Sequence, residues 1–334
     1  MVEDQDLALP VEHHAVADVF RARTRWVVAS HMNPDADTLG SAIALKVLLR
    51  KLGHEVVHVC PDPVPQALRF LGGTDEVRTS LEGLQDWALA TCDAADIRRF
   101  GADWAARMAA FRPLVVVDHH ISNQAFGTDN LIMADAAATG EVVFRLFRHL
   151  GVQLDREAAD ALYAAISTDT GSFRYEGTRP HTHLMAARLI EAGVSVSPLN
   201  QALYEETPAR ALRIQAAALG RMRVALGGRV ALASVSRAML SEAGADDEDC
   251  EGIVEQLRSI QGVDTSVFMR ELAAGGWKVS FRSKGLVDVN SVARIWDGGG
   301  HVRASGCTVS EGPAVLEERF LEHIGLQLDG VPVA

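Results

Sequence analysis

Two short stretches of this chain concentrate residue types that bind cations. One is His31-Met32-Asn33-Pro34-Asp35-Ala36-Asp37 and the other is Asp118-His119-His120. Asp93 and Asp169 stand apart from both, Asp169 within Ser167-Thr168-Asp169-Thr170-Gly171. Carboxylates and imidazoles in this mixture are ligands for divalent metals. Each stretch taken singly also reads as a polar strand end or a capped turn, with Asp118 serving the turn. The elements that carry them decide between the two.

Leu114-Val115-Val116-Val117 is an apolar, mostly β-branched run of the kind buried on both faces of a parallel sheet, and it leads straight into Asp118-His119-His120. Arg25–Ser30 is a second strand, ending in the His31 loop. A helix follows with Leu39, Ile43, Leu45, Val47, Leu48, Leu49 and Leu52, closed by Gly53, and then a strand from Val56 to Cys60. This is a βαβ unit. Its first turn lacks the Gly-rich loop that cradles phosphates and carries carboxylates and a histidine instead, which favours a cation. Asp35 and Asp37, two apart, point the same way in an extended segment, and Asn33-Pro34 turns His31 toward them. A strand from Trp87 to Thr91 delivers Asp93 and Asp96. Another, Asn130 to Ala134, precedes a helix beginning near Thr139, and a helix from Glu157 to Ile166 runs into Asp169. Three strand ends and one helix end thus each present an acid, at the edge where open α/β sheets bind ligands.

Residues 181–219 read as helical, broken at Pro198 and Pro208, and form a connector. Beyond them come a hairpin from Arg223 to Ala233, a helix from Asp246 to Ser259, a hairpin of Thr265–Leu272 with Trp277–Arg282, the run Asp297-Gly298-Gly299-Gly300-His301, and a last helix from Pro313 to Ile324. The expected fold is α/β: a mostly parallel-sheet domain over 1–190, a helical linker over 191–215, and a smaller α+β C-terminal domain over 216–330. The length of 334 residues suits two domains. No apolar run reaches the ~18 residues that span a bilayer, and the acidic start Met1-Val2-Glu3-Asp4 does not resemble a signal peptide. Cys60, Cys92, Cys250 and Cys307 are scattered, arguing for a reducing compartment, the cytoplasm by default, and against a zinc knuckle. A net charge of −12 with no Lys/Arg cluster argues against a track for long nucleic acid, so a phosphate-bearing substrate is expected to be small.

His31-x-x-Pro34-Asp35-x-Asp37, Asp93, Asp118-His119-His120 and Thr168-Asp169-Thr170-Gly171 together resemble, in order, the motifs of the DHH phosphoesterases. Arg282-Ser283 and Gly298-Gly299-Gly300-His301-x-x-Ala304-x-Gly306 resemble the DHH-associated domain. The resemblance covers residues 25–325, and the size is similar to the branch of bacterial oligoribonucleases (nanoRNases) and pAp phosphatases. It implies two divalent cations. His31, Asp35, Asp93 and Asp169 would surround one; Asp37, Asp93, His119 and Asp169 the other, with Asp93 bridging. Mixed carboxylate and imidazole ligation suits Mn²⁺, with Mg²⁺ or Co²⁺ as alternatives. His120 is implied to act at the leaving oxygen, against the plainer reading of an imidazole bonded to a backbone carbonyl. Asp118 is expected to orient its neighbours, and Asp96, Arg98 and Arg99 to contribute from behind the ligands at most. Arg282, Ser283, Gly299, Gly300 and His301 would grip a phosphate or nucleotide, the alternative for the glycines being a flexible turn. The family often has an aromatic before the triple glycine; here the residues are Trp296-Asp297, and packing of the small domain is the better reading of Trp296. The expected reaction is metal-assisted phosphoester hydrolysis of short single-stranded RNA (including pApA) or of 3′-phosphoadenosine 5′-phosphate, with the cleft between domains measuring length. A manganese pyrophosphatase, a cyclic-di-AMP phosphodiesterase and a non-catalytic nucleotide sensor are the rivals. No membrane partner is expected, and a homodimer is the oligomeric form to test.

Overall fold

A computed structural model describes residues 4–330. The described residues divide into two compact units, one ending at Glu206 and the other beginning at Thr207.

In the first unit the elements run α1 (His14–Ala22), β1 (Arg25–Ala29), α2 (Ala36–Lys51), β2 (Glu55–Val59), β3 (Ala88–Cys92), α3 (Ala102–Met108), β4 (Leu114–Asp118), β5 (Asp129–Ile132), α4 (Thr139–Leu150), α5 (Arg156–Asp169), α6 (Pro180–Glu191) and α7 (Val196–Tyr204). The five strands form one parallel sheet in the order β2-β1-β3-β4-β5. The order reverses between β1 and β3, so the crevice beyond their carboxyl ends is a topological switch point. β3 and β4 are buried at every residue, as their apolar runs require. Helix α2 is buried from Ala36 to Leu49 because it lies among other helices and the sheet. It comes close to α5 and α4 through small residues. A methyl on Gly40 would collide with the Ala161 carbonyl, and one on Gly140 would lie 2.8 Å from the Ala165 methyl.

The second unit runs α8 (Ala209–Leu219), β6 (Arg223–Ala225), β7 (Val230–Val235), α9 (Arg237–Ala243), α10 (Ile253–Ser259), β8 (Thr265–Glu271), β9 (Trp277–Ser283), α11 (Val289–Arg294), β10 (Gly299–His301), β11 (Ala304–Val309) and α12 (Pro313–Leu328). Its six-stranded mixed sheet has the order β10-β11-β9-β8-β7-β6, with β7 and β8 parallel and the other pairs antiparallel. Phe281, Phe320, Val292 and Leu316 lead its core on one side. Among the described residues no helix is long and apolar enough to cross a membrane.

Within the stretch expected as a helical linker, 191–215, Leu199 of α7 packs in a core of the first unit, whereas Ile214 of α8 packs in one of the second. Two expectations change. Pro198 does not break a helix but sits in the first turn of α7, where its missing N–H costs nothing. The helix expected from Asp246 is two pieces, interrupted at Gly252, whose φ of 83° no helix accommodates.

Candidate metal centre

The four acid-bearing ends converge at the switch point of the first sheet. Asp35 is the N-cap of α2, its Oδ1 accepting from the Thr38 N–H at 3.0 Å. Asp37 lies inside the first helical turn, so the extended alternation expected for this pair does not hold; cap and turn present the two carboxylates separately. Asp37 Oδ2 accepts from the Thr139 N–H at 2.7 Å, and its Oδ1 from the Gly140 N–H and the Ser41 hydroxyl at 3.0 Å each. The start of α4 therefore aims its unsatisfied amides at an anion, as helix N-termini do. Thr38 ties α2 to β3 through its hydroxyl, which donates to the Cys92 carbonyl at 2.9 Å. Asp169 is the last residue of α5.

The two histidines are held in defined tautomers. His31 Nδ1 donates to the Met32 carbonyl at 2.8 Å and His119 Nδ1 to the Ala136 carbonyl at 3.2 Å. In both rings the Nε2 lone pair therefore faces the acids. His31 Nε2 lies 3.5 Å from Asp93 Oδ2 and 3.9 Å from Asp35 Oδ2. His119 Nε2 lies 3.5 Å from Asp93 Oδ1, 3.4 Å from Asp169 Oδ2 and 3.9 Å from Asp37 Oδ2. Asp93 thus turns one oxygen to each histidine. Two groups have ligating atoms close enough to share an ion: His31 with Asp35 and Asp93, and Asp37 with His119 and Asp169. Asp169 groups with the second set.

Electrostatics make the same demand. Burial, followed by the charges of Asp93, Asp169 and Asp35, holds the Asp37 carboxyl far above the usual carboxylate range. Asp169 is pushed up to about 7, with burial leading and Asp93 and Asp35 adding to it against His119 and His120. Asp93 is driven the other way: the close approach of His31 and the charges of His120 and His119 outweigh its burial. Crowded carboxylates with oriented imidazole lone pairs are a donor set that divalent cations fit.

Strain gathers at this edge. Asn33, Asp93, Ser172 and Phe173 have φ of 49°, 61°, 59° and 62°, left-handed conformations that cost about 1–3 kcal/mol each in a side-chain-bearing residue. Three of the four lie within four residues of Asp35 or Asp169, and the other is Asp93 itself.

His120 belongs with Asp118. The fully buried Asp118 accepts from His120 Nδ1 at 2.7 Å. That nitrogen is also 3.6 Å from Asp93 Oδ1, which places it in a third candidate ligand group with Asp93 and His119. A nitrogen donating to a buried carboxylate has no lone pair for a metal, so His120 Nδ1 is withdrawn from that third group. Burial lowers its basicity, but the Asp118 hydrogen bond and the charges of Asp93, Asp118 and Asp169 raise it to about 9. Arg99 reaches the ligand set: its Nη2 donates to His31 Nε2 at 3.0 Å, and its side chain is exposed. Arg98 pairs with Asp96. No local pattern marks Arg99, because its contact crosses from the β3 loop to the β1 loop.

In the second unit, Arg282 and Gly299 line one cavity of about 700 Å³, together with Lys278, Ser280, Trp296 and Thr308. Arg282 Nε is bonded to Glu255 at 2.9 Å. Ser283 is a correction. It is buried, donates to Asp264 at 3.1 Å and accepts from the Gly285 N–H at 2.8 Å, so it builds the turn after β9 and offers nothing to a ligand. Gly299, Gly300 and His301 form an exposed edge strand and not a flexible turn. A methyl on Gly300 would lie 2.5 Å from the Ala304 carbonyl, which accounts for that glycine by strand packing. Trp296 packs edge-on against Phe320 at 4.7 Å, as expected.

Comparison with known proteins supplies the family. The DHH family N-terminal domain matches residues 25–166 and the DHHA1 domain residues 227–327. The bifunctional oligoribonuclease and PAP phosphatase of Thermus thermophilus is 34% identical over 88% of this chain and 87% of its own length. Its namesake in Bacillus subtilis is 29% identical over 85% and 88%. Among solved structures, an exopolyphosphatase-related protein from Bacteroides fragilis has the same fold, with a TM-score of 0.87 at 23% identity over 99% of this chain and 98% of its own. An acid-and-histidine edge built as above, in a chain so closely related over nearly its whole length, makes this protein a member of the DHH family, with a DHHA1 domain following its catalytic-type N-terminal domain.

Proposed function

We propose that this protein is a cytoplasmic, divalent-metal-dependent phosphoesterase that hydrolyses short oligoribonucleotides, pApA among them, to mononucleotides and 3′-phosphoadenosine 5′-phosphate to AMP. The observation that carries the reading is Asp93, whose two oxygens face two separate histidine-bearing ligand groups. The names of the Thermus and Bacillus relatives support the choice of substrates. His31 and Asp35 would hold one cation and Asp37, His119 and Asp169 the other, with Asp93 shared. The imidazole-carboxylate mixture favours manganese. Bound there, the pair of cations supplies an activated water and neutralises charge on the phosphoryl oxygens. Arg99 reaches the same ligand set and would take a non-bridging phosphate oxygen. His120, kept protonated by Asp118, would give its proton to the leaving oxygen. Arg282, Gly299, Gly300 and His301 would hold the part of the substrate that does not react. The four cysteines are free and buried, which suits a reducing compartment.

The test is a substrate panel with Mn²⁺: RNA from dinucleotides to about twenty nucleotides, pAp, pApA, cyclic di-AMP and pyrophosphate. The acidic chain has no basic track, so the shortest RNAs should be cleaved fastest at moderate salt. Phosphate release from pyrophosphate far outpacing dinucleotide cleavage, or equal efficiency at every RNA length, would overturn the proposal.

A further inference from the structure

The loop after β4 contains a side chain that joins the two strand ends of the site. Asn123 Nδ2 donates to Asp118 Oδ2 at 2.5 Å and to the Ala94 carbonyl, one residue past Asp93, at 3.0 Å. Its Oδ1 accepts from the Ala125 N–H at 2.7 Å, and its own N–H donates to the His120 carbonyl at 3.1 Å. Gln124 N–H continues the bridge to the Ala95 carbonyl at 3.1 Å. Asn123 is thus bonded to the acid that holds His120, to the loop of the shared ligand Asp93, and to the turn on which it stands.

A buried carboxylate needs both oxygens engaged. Asn123 takes Oδ2 of Asp118, and Oδ1 is left to His120 Nδ1. Without the amide, Asp118 can rotate to share its oxygens, and the imidazole loses its fixed direction. We propose that Asn123 is a positioning residue for the proton-transfer step: by fixing Asp118 against the β3 loop, it sets the line along which His120 faces the leaving group. The inference rests on the phosphoesterase reading. In the step concerned the oxygen of a water, having lost a proton, bonds to phosphorus as the ester P–O bond breaks; the electron pair of that bond goes to the leaving oxygen, which takes the proton from His120 Nε2, while the Nδ1 proton stays on His120, hydrogen-bonded to Asp118.

The discriminating variant is Asn123→Asp. It keeps an oxygen to accept from Ala125, and so keeps the turn, and once ionised it offers no donor to Asp118, so the assays are followed over a pH range that reaches its ionised form. Wild type, Asn123→Asp and Asn123→Ala are assayed with Mn²⁺ on two phosphodiesters: a ribodinucleotide, whose leaving alkoxide needs a proton, and the p-nitrophenyl ester of thymidine 5′-phosphate, whose leaving group does not. Misdirecting a general acid should lower kcat on the dinucleotide about tenfold to a hundredfold. KM, the Mn²⁺ affinity measured by calorimetry and the aryl-ester kcat should stay within about threefold. Asn123→Ala, which also loses the turn, should show the same contrast between substrates. An equal loss on both substrates, a loss of Mn²⁺ binding, or an unchanged dinucleotide rate would overturn the proposal. Failure of the wild type on every nucleotide substrate would overturn the function and this inference together. Wild-type turnover with a uniform loss in Asn123→Asp would overturn this inference alone.

Discussion

Replacing Asp93 by asparagine separates charge from geometry at the shared ligand. Asp93 sits at φ 61°, a conformation that asparagine tolerates and alanine does not, so Asn adds no backbone strain. It can still accept from the Thr139 hydroxyl, which donates to Oδ1 at 2.9 Å. What disappears is the negative charge facing His31 on one side and His119 on the other, at 3.5 Å each. A charge-assisted contact contributes about 1.5–3 kcal/mol. Losing one on each side removes about 3–6 kcal/mol, or two to four orders of magnitude in binding two divalent ions. The metal-free variant should melt within a few degrees of wild type, because removing the charge also relieves Asp37. The assay is thermal unfolding with and without Mn²⁺, followed by calorimetric titration. Wild type should gain stability with rising Mn²⁺ as RT ln(1 + [L]/Kd) requires, and Asp93→Asn should show little gain and little turnover. A variant that kept the full Mn²⁺-induced shift and a kcat within tenfold of wild type would refute the shared-ligand reasoning.

Arg99→Ala should raise KM for dinucleotides tenfold or more without weakening Mn²⁺ binding, since its Nη2 stands against the same His31 Nε2 that a cation would use; steady-state kinetics beside calorimetry checks both halves. Arg282→Ala and His301→Ala should bind Mn²⁺ normally and lose kcat/KM on dinucleotides while hydrolysing p-nitrophenyl phosphate nearly as wild type does. Equal losses on both substrates would return those residues to the chemical step. His58 supplies a pH test of the fold. Burial and then the Lys46 charge lower its pKa from 6.5 to about 3, so protonation favours the unfolded chain; its stability contribution is complete above about pH 6.5 and falls as the pH drops toward 3. Linkage gives a loss of about 2 kcal/mol by pH 5. Urea unfolding should show a shallower acid slope for His58→Gln, and parallel slopes would disprove the assignment.

Much of the centre was legible because each ligand follows a run of uniform character. Apolar strands such as Leu114–Val117 announce their own ends, and an acid at four ends is a pattern that single residues do not make. What escaped depends on contacts between loops. Arg99 and Asn123 bond across strand ends, to His31 and Ala94, and no spacing along the chain encodes that. Asp37 was misplaced by one residue's worth of helix: capping by Asp35 starts α2 earlier than its apolar positions indicate. Ser283 was misread because a serine beside an arginine looks the same whether its hydroxyl faces a ligand or the buried Asp264. The edge strand β10 and its neighbour β11 were missed because stretches of glycine and other small residues lack the β-branched signature, although close strand packing is what Gly300 serves.

The glycines between the helices have an effect on the chemistry that no ligand reveals. Asp37 lies one turn before Gly40 on α2, Asp169 one turn beyond Ala165 on α5, and Gly140 of α4 carries one of the amides on Asp37. Gly40 and Gly140 both bear on α5 around Ala165. The separation of the ligand-bearing helix ends is therefore gauged by bare backbone, as in a jig whose stops have no adjustment. Any side chain grown at Gly40 or Gly140 splays the helices apart and widens the ligand frame, though it touches no ligand. Preference for one ionic radius over another can accordingly be altered from the hydrophobic interior, at positions that a comparison of metal-binding motifs would pass over.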